Sequence, residues 1–381
     1  MRVETKLVHA GELRPRPHGA IATPVFQSST FESSRDAADY HDIRYIRLNN
    51  TPNHLVLNAK LAALEGTERA LVAASGMAAI SATLLSLLAT GDHVLAHDGL
   101  YGGTYDFLAK DLPKLGISVT FVDAGRPETW AAHVTPKTRI FYVETITNPL
   151  LRVLALDEVV AFARARKLVT IIDNTIATPI QFRPAEHGFD LIVHSASKYL
   201  NGHSDIVGGV VCGKAALVDA AKHKLDHLGG ALDPHACFLL GRGMRTLSLR
   251  VRYQAQSALA IAGFLAEHPA VARVHYPGLA SHPDHARAKA LLDGGFGGML
   301  GFELAGGVAA TDRLFERMTL PAVAPSLGGT ETLVTRPAAT SHAGLTLDER
   351  RRQGIADALV RVSVGLEATA DLVEDFAAAL S

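Results

Sequence analysis

Residues 157–173, DEVVAFARARKLVTIID, carry two periodicities back to back. Val159, Val160 and Ala163 repeat at helical spacing, and the almost wholly apolar run LVTIID (168–173) follows at once and ends on Asp173. Such a run is expected of a strand covered on both faces, whereas strict alternation would mark a sheet with one face in water. The pattern recurs on either side, with strand-like segments at ALVAA (70–74), HVLAH (93–97), SVTFV (118–122), RIFYVE (139–144), LIVHS (191–195) and IVGGVVCG (206–213). Helical segments fit between them: Leu57, Leu61 and Leu64 repeat before Gly66, and GMAAISATLLSLLATG (76–91) reads as a buried helix that Gly91 is expected to close. Strands alternating with helices imply an α/β fold with a mainly parallel sheet, whose ligands bind at the carboxyl ends of the strands.

The rest of the chain divides around this core. After about Arg250 long helices dominate, with strands such as MLGFELAG (299–306) and a final helix in EATADLVEDFAAAL (367–380). The first fifty residues are rich in Pro, Ser and Arg and weakly periodic. The expected organisation is an N-terminal arm over 1–50 that contacts a neighbouring subunit, a large domain over 51–250 and a small C-terminal domain over 251–381.

Composition narrows the function. A chain of 381 residues with 48% hydrophobic and 20% charged residues suits a large buried core. A net charge of −1 gives no electrostatic case for nucleic acid or an anionic membrane. The N-terminus MRVETKLVHAG lacks a signal-peptide pattern, and no run reaches the about 20 apolar residues of a membrane span, so a cytoplasmic protein with a small-molecule partner is expected. Cys212 and Cys237 are too isolated for a disulfide framework and read as core residues. His282 and His285 stand three apart, but without an HExxH or paired cysteines they read as a loop-to-helix junction, and no metal site is expected. A nucleotide-dependent oxidoreductase would need a glycine fingerprint between strand and helix, whereas GGFGGMLG precedes a strand.

Several residues fall where a ligand belongs. Lys198 follows the strand LIVHS, and a partly desolvated lysine there becomes a usable amine nucleophile. Asp173 ends an apolar strand, where an ionised carboxylate needs a cationic or hydrogen-bonding partner; a pyridinium nitrogen would serve, and an N-cap role is the alternative. Gly76 and Met77 open a helix N-terminus able to hold a phosphate, to which Ser195 and Ser197 could add hydroxyls. Tyr101 precedes two glycines and could stack on a flat cofactor, Asn148 could bond a cofactor oxygen or organise an Asn-Pro turn, and Arg361 lies opposite Val360 and Val362 on a strand, suited to a carboxylate or to a surface salt bridge.

Taken together, these residues resemble the cystathionine synthase and lyase family of trans-sulfuration enzymes, which use pyridoxal phosphate (PLP). YIRLNN (45–50), SGMAAI (75–80), YGGTYDF (101–107), ETITNP (144–149), DNTIATP (173–179), SASKYLNGHSD (195–205), YPGLASHP (276–283), SLGGTETL (326–333) and RVSVGLE (361–367) occur in the family's order through nearly the whole chain. The resemblance implies the type I fold of aspartate aminotransferase. It implies that Lys198 carries PLP as a Schiff base and is catalytic together with Tyr101, which stacks on the ring. Asp173 would pair with the pyridine nitrogen, and Gly76, Met77, Ser195 and Ser197 would hold the phosphate. Asn148 would lie near the phenolic oxygen and the substrate, Arg361 would bind the substrate α-carboxylate, and Ser326 would assist it. Tyr45 and Arg47 would complete the phosphate site of the adjacent subunit, which implies a homotetramer built as a dimer of active dimers.

Within the family, elimination at the β-carbon gives pyruvate, elimination at the γ-carbon gives 2-oxobutyrate, and γ-replacement joins a thiol. Cystathionine-specific lyases tend to carry acidic residues before the arm tyrosine and before SLGG and an arginine after YGGT, where this chain has Arg44, Pro325 and Tyr105-Asp106. Methionine-specific lyases have cysteine in place of Gly103. The arm also departs from the usual Gly-Asn-Pro-Thr turn, reading NNTPN after Leu48. The overall pattern implies a γ-eliminating carbon-sulfur lyase with cystathionine as leading substrate; cystathionine γ-synthase, O-acylhomoserine sulfhydrylase and cystathionine β-lyase are the alternatives.

Overall fold

A computed structural model describes residues 1–32 and 43–381. Two sheets organise it. The larger contains β1 (Arg69–Ala73), β2 (His93–His97), β3 (Ser118–Val122), β4 (Thr138–Glu144), β5 (Val169–Asp173), β6 (Leu191–Ser195) and β7 (Gly209–Gly213) in the order β1-β7-β6-β5-β4-β2-β3. Each is one of the seven segments read from the sequence, shifted by no more than three residues at an end.

The continuous apolar runs have the expected physical cause. Alternate residues point to opposite faces, so Val143, Ile172 and Ile192 enter one buried cluster while Tyr142, Ile171 and Val193 enter another. With helices on both sides, neither face of a central strand meets water, and each buried Ile contributes about 1.5–3 kcal/mol of transfer free energy.

Strands β2 to β6 run parallel, while β7 is antiparallel to both β6 and β1. Consequently β1 runs the same way as β6, and its carboxyl end lies at the same edge of the sheet. The register aligns Ala73, Gly209 and Ser195 in one row. A Cβ on Gly209 would lie 2.0 Å from the Ser75 carbonyl oxygen, so only glycine lets the turn after β1 pass so close to β7.

The smaller sheet has the order β10-β11-β12-β9-β8, with β8 at Val271–His275, β9 at Met299–Leu304, β10 at Ala322–Val323, β11 at Leu333–Thr335 and β12 at Leu359–Ser363. Strand β12 is central, and Arg361 is opposite Thr335 on one side and Gly301 on the other. Val360 and Val362 pack into the core beneath the helix Thr369–Leu380, whose Leu372 and Phe376 belong to the same cluster. Arg361 is therefore turned to the opposite face, the one that meets the large sheet.

Three local expectations need correction or detail. The helix after β1 spans Gly76–Leu87 and is not closed by Gly91: Leu88 is already extended, and Gly91 (φ 93°) sits in the turn into β2, its N–H donating to Gly116 O at 2.8 Å. Further along, Asp348, Glu349 and three arginines fall in the helix Leu347–Arg352, opened by a reciprocal capping box between Thr346 and Glu349. His285 begins the helix His285–Leu291, and both cysteines are buried and unpaired. Among the described residues no group of three or more His, Cys, Asp or Glu could hold a metal ion, and no helix is long and apolar enough to cross a membrane.

Candidate active site

The carboxyl ends of β4, β5 and β6 and the turn after β1 border a cleft of about 1130 Å³, roofed by the segment Ala322–Leu333 and by Arg361. Lys198, Asp173, Tyr101, Gly76, Met77, Ser195, Ser197, Asn148, Ser326 and Arg361 all line it. Tyr45 and Arg47 do not. Arg47 donates to Asp226 O at 2.9 Å and lies 5.7 Å from the Tyr45 ring centroid, on the arm.

Lys198 lies in the segment between β6 and β7, held by Lys198 N–H to Ser195 O and by Gly202 N–H to Lys198 O. Its Nζ donates to Ser326 Oγ at 2.8 Å. Burial, and next the Arg361 guanidinium, lower its pKa below the ordinary lysine value, which favours the neutral amine a nucleophile or base requires. Ser326 holds φ 89°, a strained conformation for a residue with a Cβ, and its carbonyl oxygen accepts from Arg361 Nη2 at 2.7 Å.

Arg361 is only 3% exposed, so the surface salt bridge considered for it does not form. Its Nη1 donates to Asn148 Oδ1 at 3.3 Å, and its Nε is buried without a partner. Burial lowers its pKa to about 10, leaving it a cation at neutral pH. A buried guanidinium with an unused donor and no carboxylate partner among the described residues is suited to an incoming carboxylate. Because guanidinium only donates, Asn148 must present Oδ1 to it, which leaves the Asn148 amide N–H free for another oxygen.

Asp173 Oδ1 accepts from Thr175 N at 2.9 Å. Burial raises its pKa, opposed first by the bonds from Thr175 and then by the charge of His194. No Lys or Arg pairs with it among the described residues, so a cationic ring nitrogen would relieve a real cost. The N-terminus of Gly76–Leu87 meets the end of β6 so tightly that a Cβ on Gly76 would lie 3.0 Å from Ser195 Cβ. Ser75 caps this helix through Ala78 N–H at 3.0 Å, which leaves the amides of Gly76 and Met77 to an external anion. Ser197 Oγ accepts from Gly208 N at 3.0 Å, and its own hydrogen has only a 3.4 Å contact with Gly208 O, so it too can turn to an anion. An anion cradle, a carboxylate with no Lys or Arg partner among the described residues and a desolvated amine in one cleft fit PLP.

Gly76→Ala tests the cradle. The added methyl should push the helix start away from β6 and weaken PLP binding by the apoprotein about tenfold, equivalent to about 1.4 kcal/mol, measured by fluorescence titration. Gly263→Ala is the control, since a Cβ there meets nothing within 4 Å. Equal affinity in both variants would remove Gly76 from the cradle.

Tyr101 stands at the mouth of the cleft, 45% exposed, and its N–H donates to Glu144 Oε1 at 2.6 Å. A Cβ on Gly103 would lie 2.7 Å from Tyr101 Cε1 and 3.4 Å from Met77 Sδ, so this glycine admits the ring to the position it holds. Of the subtype positions Gly103 and Pro325 line the cleft; Asp106 pairs with Lys110 at 2.8 Å, and the Arg44 guanidinium lies 5.7 Å from the Phe31 ring centroid.

The sequence reading missed two residues of the site. Glu144, which ends β4 in register with Asp173, lines the cleft, as does Thr175, whose Oγ1 accepts from Ser195 N at 2.8 Å and ties β5 to β6. A signal for Glu144 was present, since RIFYVE ends on a carboxylate as LVTIID does.

Comparison with known proteins is consistent with this geometry. The profile of the family described as Cys/Met metabolism PLP-dependent enzyme matches residues 4–381. A cystathionine β-lyase of Coxiella burnetii is 39% identical, covering 99% of this chain and 97% of the relative. A cystathionine γ-lyase of Bacillus subtilis is also 39% identical, with 100% and 99% covered. The crystal structure of a cystathionine γ-synthase from Xanthomonas oryzae superposes with a TM-score of 0.95 at 35% identity, covering 100% of this chain and 98% of that one, so the fold is the type I PLP fold implied by the motifs.

Proposed function

Because this chain belongs to the Cys/Met metabolism family of PLP-dependent enzymes, we propose that it is a carbon-sulfur lyase that eliminates at the γ-carbon of cystathionine or a related sulfur amino acid. The observation that carries the reading is the chain of contacts from Lys198 Nζ to Ser326, from Ser326 to Arg361 and from Arg361 to Asn148, in the cleft that also holds Asp173.

Bound PLP supplies an electron sink for the charge left when a proton leaves the substrate α-carbon. The chain's own residues do the remainder. Arg361 takes the α-carboxylate, exchanging its bonds to Asn148 and Ser326 O for two to the substrate, and so fixes which bond at the α-carbon faces Lys198. Lys198 would hold the group through its Nζ, and the same amine, steered by Ser326 Oγ, is the base placed to receive the α-proton. Asp173 would hold the ring nitrogen protonated, and Tyr101, at the mouth of the cleft, would stack on the ring. Gly76, Met77, Ser195 and Ser197 would hold the phosphate of this subunit's cofactor. Tyr45 and Arg47, which lie outside this chain's cleft, are assigned to the phosphate site of an adjacent subunit, in a tetramer built from active dimers.

A panel of cystathionine, methionine, cysteine and O-acylhomoserine with and without thiols tests the reaction. Cysteine and 2-oxobutyrate from cystathionine are the expected products. Homocysteine with pyruvate would establish β-cleavage instead, and a thioether from an acylhomoserine would establish γ-replacement.

A further inference from the structure

Two acidic side chains end adjacent parallel strands at the floor of the cleft, Glu144 on β4 and Asp173 on β5, their Cα atoms in register. Glu144 is 4% exposed, and among the described residues it is not matched to a cation: the bond it accepts is the 2.6 Å contact from Tyr101 N–H. Burial first, and the nearby Asp173 second, push its carboxyl well above the usual range, while the Tyr101 N–H opposes them. Two carboxylates so placed do not both ionise at low cost, and of the two it is Glu144 that takes the Tyr101 backbone donor.

That donor belongs to the residue whose ring covers the cleft. Tyr101 precedes the short helix Gly102–Asp106 in an extended conformation, with φ −49° and ψ 134°. Among the described residues no hydrogen bond holds its exposed phenol, so the ring must be located from its backbone. Two contacts do this: a Cβ on Gly102 would lie 2.5 Å from the Ser341 carbonyl oxygen, which fixes the segment from one side, and Glu144 fixes it from below. The reach of the Glu144 side chain thus sets how far the Tyr101 ring stands from the end of the sheet, where Asp173 would meet the cofactor ring.

We propose that Glu144 is a positioning residue for Tyr101: its carboxyl anchors the Tyr101 N–H and thereby sets the gap into which the cofactor ring slides, leaving Asp173 alone to serve the ring nitrogen. The proposal rests on the reading of this cleft as a PLP site.

The test uses the full-length protein and three readouts: apoprotein affinity for PLP, the induced circular dichroism of bound PLP, and kcat. Loss of the hydrogen-bonded anchor should weaken PLP binding about tenfold in Glu144→Ala and diminish the induced signal, with kcat lowered by about ten- to a hundredfold. Glu144→Gln keeps an acceptor at the same reach and should recover PLP affinity to within about threefold of wild type, whereas Glu144→Asp, too short to reach, should behave as Glu144→Ala does. The effect of Glu144→Ala should vanish in a Tyr101→Ala background, because the anchor then has nothing to position. The proposal is overturned if Glu144→Ala matches wild type, if Glu144→Gln is as impaired as Glu144→Ala, or if the two alanine effects add. Should Glu144→Ala fail to fold, Glu144→Asp decides, and wild-type behaviour of that variant overturns the proposal. Failure of the underlying reading is distinct: the wild-type protein itself would then not bind PLP.

Discussion

Replacing Lys198 with alanine is expected to lower steady-state turnover of every sulfur amino acid on the panel about ten-thousandfold, with the melting temperature changed little. The size follows from two roles lost together, covalent attachment of the cofactor and proton transfer at the α-carbon; positioned acid-base groups alone contribute about 10²–10⁴-fold. The geometry explains why no neighbour should substitute. Ser326 Oγ, 2.8 Å from Nζ, is a hydroxyl far too weakly basic, and Arg361 stays protonated with a pKa of about 10. Borohydride reduction of the wild-type holoenzyme should fix the cofactor irreversibly on Lys198, and the variant should release it on denaturation. A variant that keeps wild-type rates would refute the mechanism. An exogenous small amine should restore part of the rate to Lys198→Ala, since the cleft left by the side chain is continuous with solvent.

Arg361→Ala should reduce kcat/KM by about a hundred- to a thousandfold, mainly through KM. A charged, bidentate pair contributes roughly 3–4 kcal/mol when both partners are buried, which is about the loss expected here. Arg361→Lys should recover little, because an ammonium cannot present two parallel donors from the middle of β12. The decisive comparison is a substrate analogue lacking the α-carboxylate. Wild type and Arg361→Ala should process it equally slowly, since the guanidinium then has no partner in either case. A variant still impaired toward that analogue would assign Arg361 a structural role, through Asn148 and Ser326, and not carboxylate binding.

How much of this was legible in the chain differs by level. The seven strands of the large sheet were readable because each is short, bounded by turn residues and, apart from the partly exposed edge strand β3, largely buried on both faces, so local composition and tertiary environment agree. The end of the helix Gly76–Leu87 was not, because a glycine four residues further on fits a helix stop equally well, and the need to enter β2 at His93 decides between them. For the site, Asp173 and Lys198 stood out as charged groups beside apolar strands. Glu144 carried the same signal but shared its place with no recognised role. The fate of Arg361 was open for another reason. Alternation in RVSVGLE shows that the arginine opposes the valines, yet whether its face meets water or another sheet is a property of how two sheets are assembled.

The sequence by itself determined the elements, the α/β class and the kind of chemistry, because hydrophobic period, turn residues and a set of motifs in fixed order are local properties of the chain. Tertiary structure alone decided which groups meet. The antiparallel β7 brings the end of β1 beside the end of β6, so Gly76 abuts Ser195; the packing of the small sheet over the large one sets Arg361 against Ser326 and Asn148 and turns Ser326 toward Lys198. Apart from Arg361 and Ser326, which are 35 positions apart, these contacts join residues more than a hundred positions apart, and no local pattern encodes a distance that depends on how two sheets close over one another.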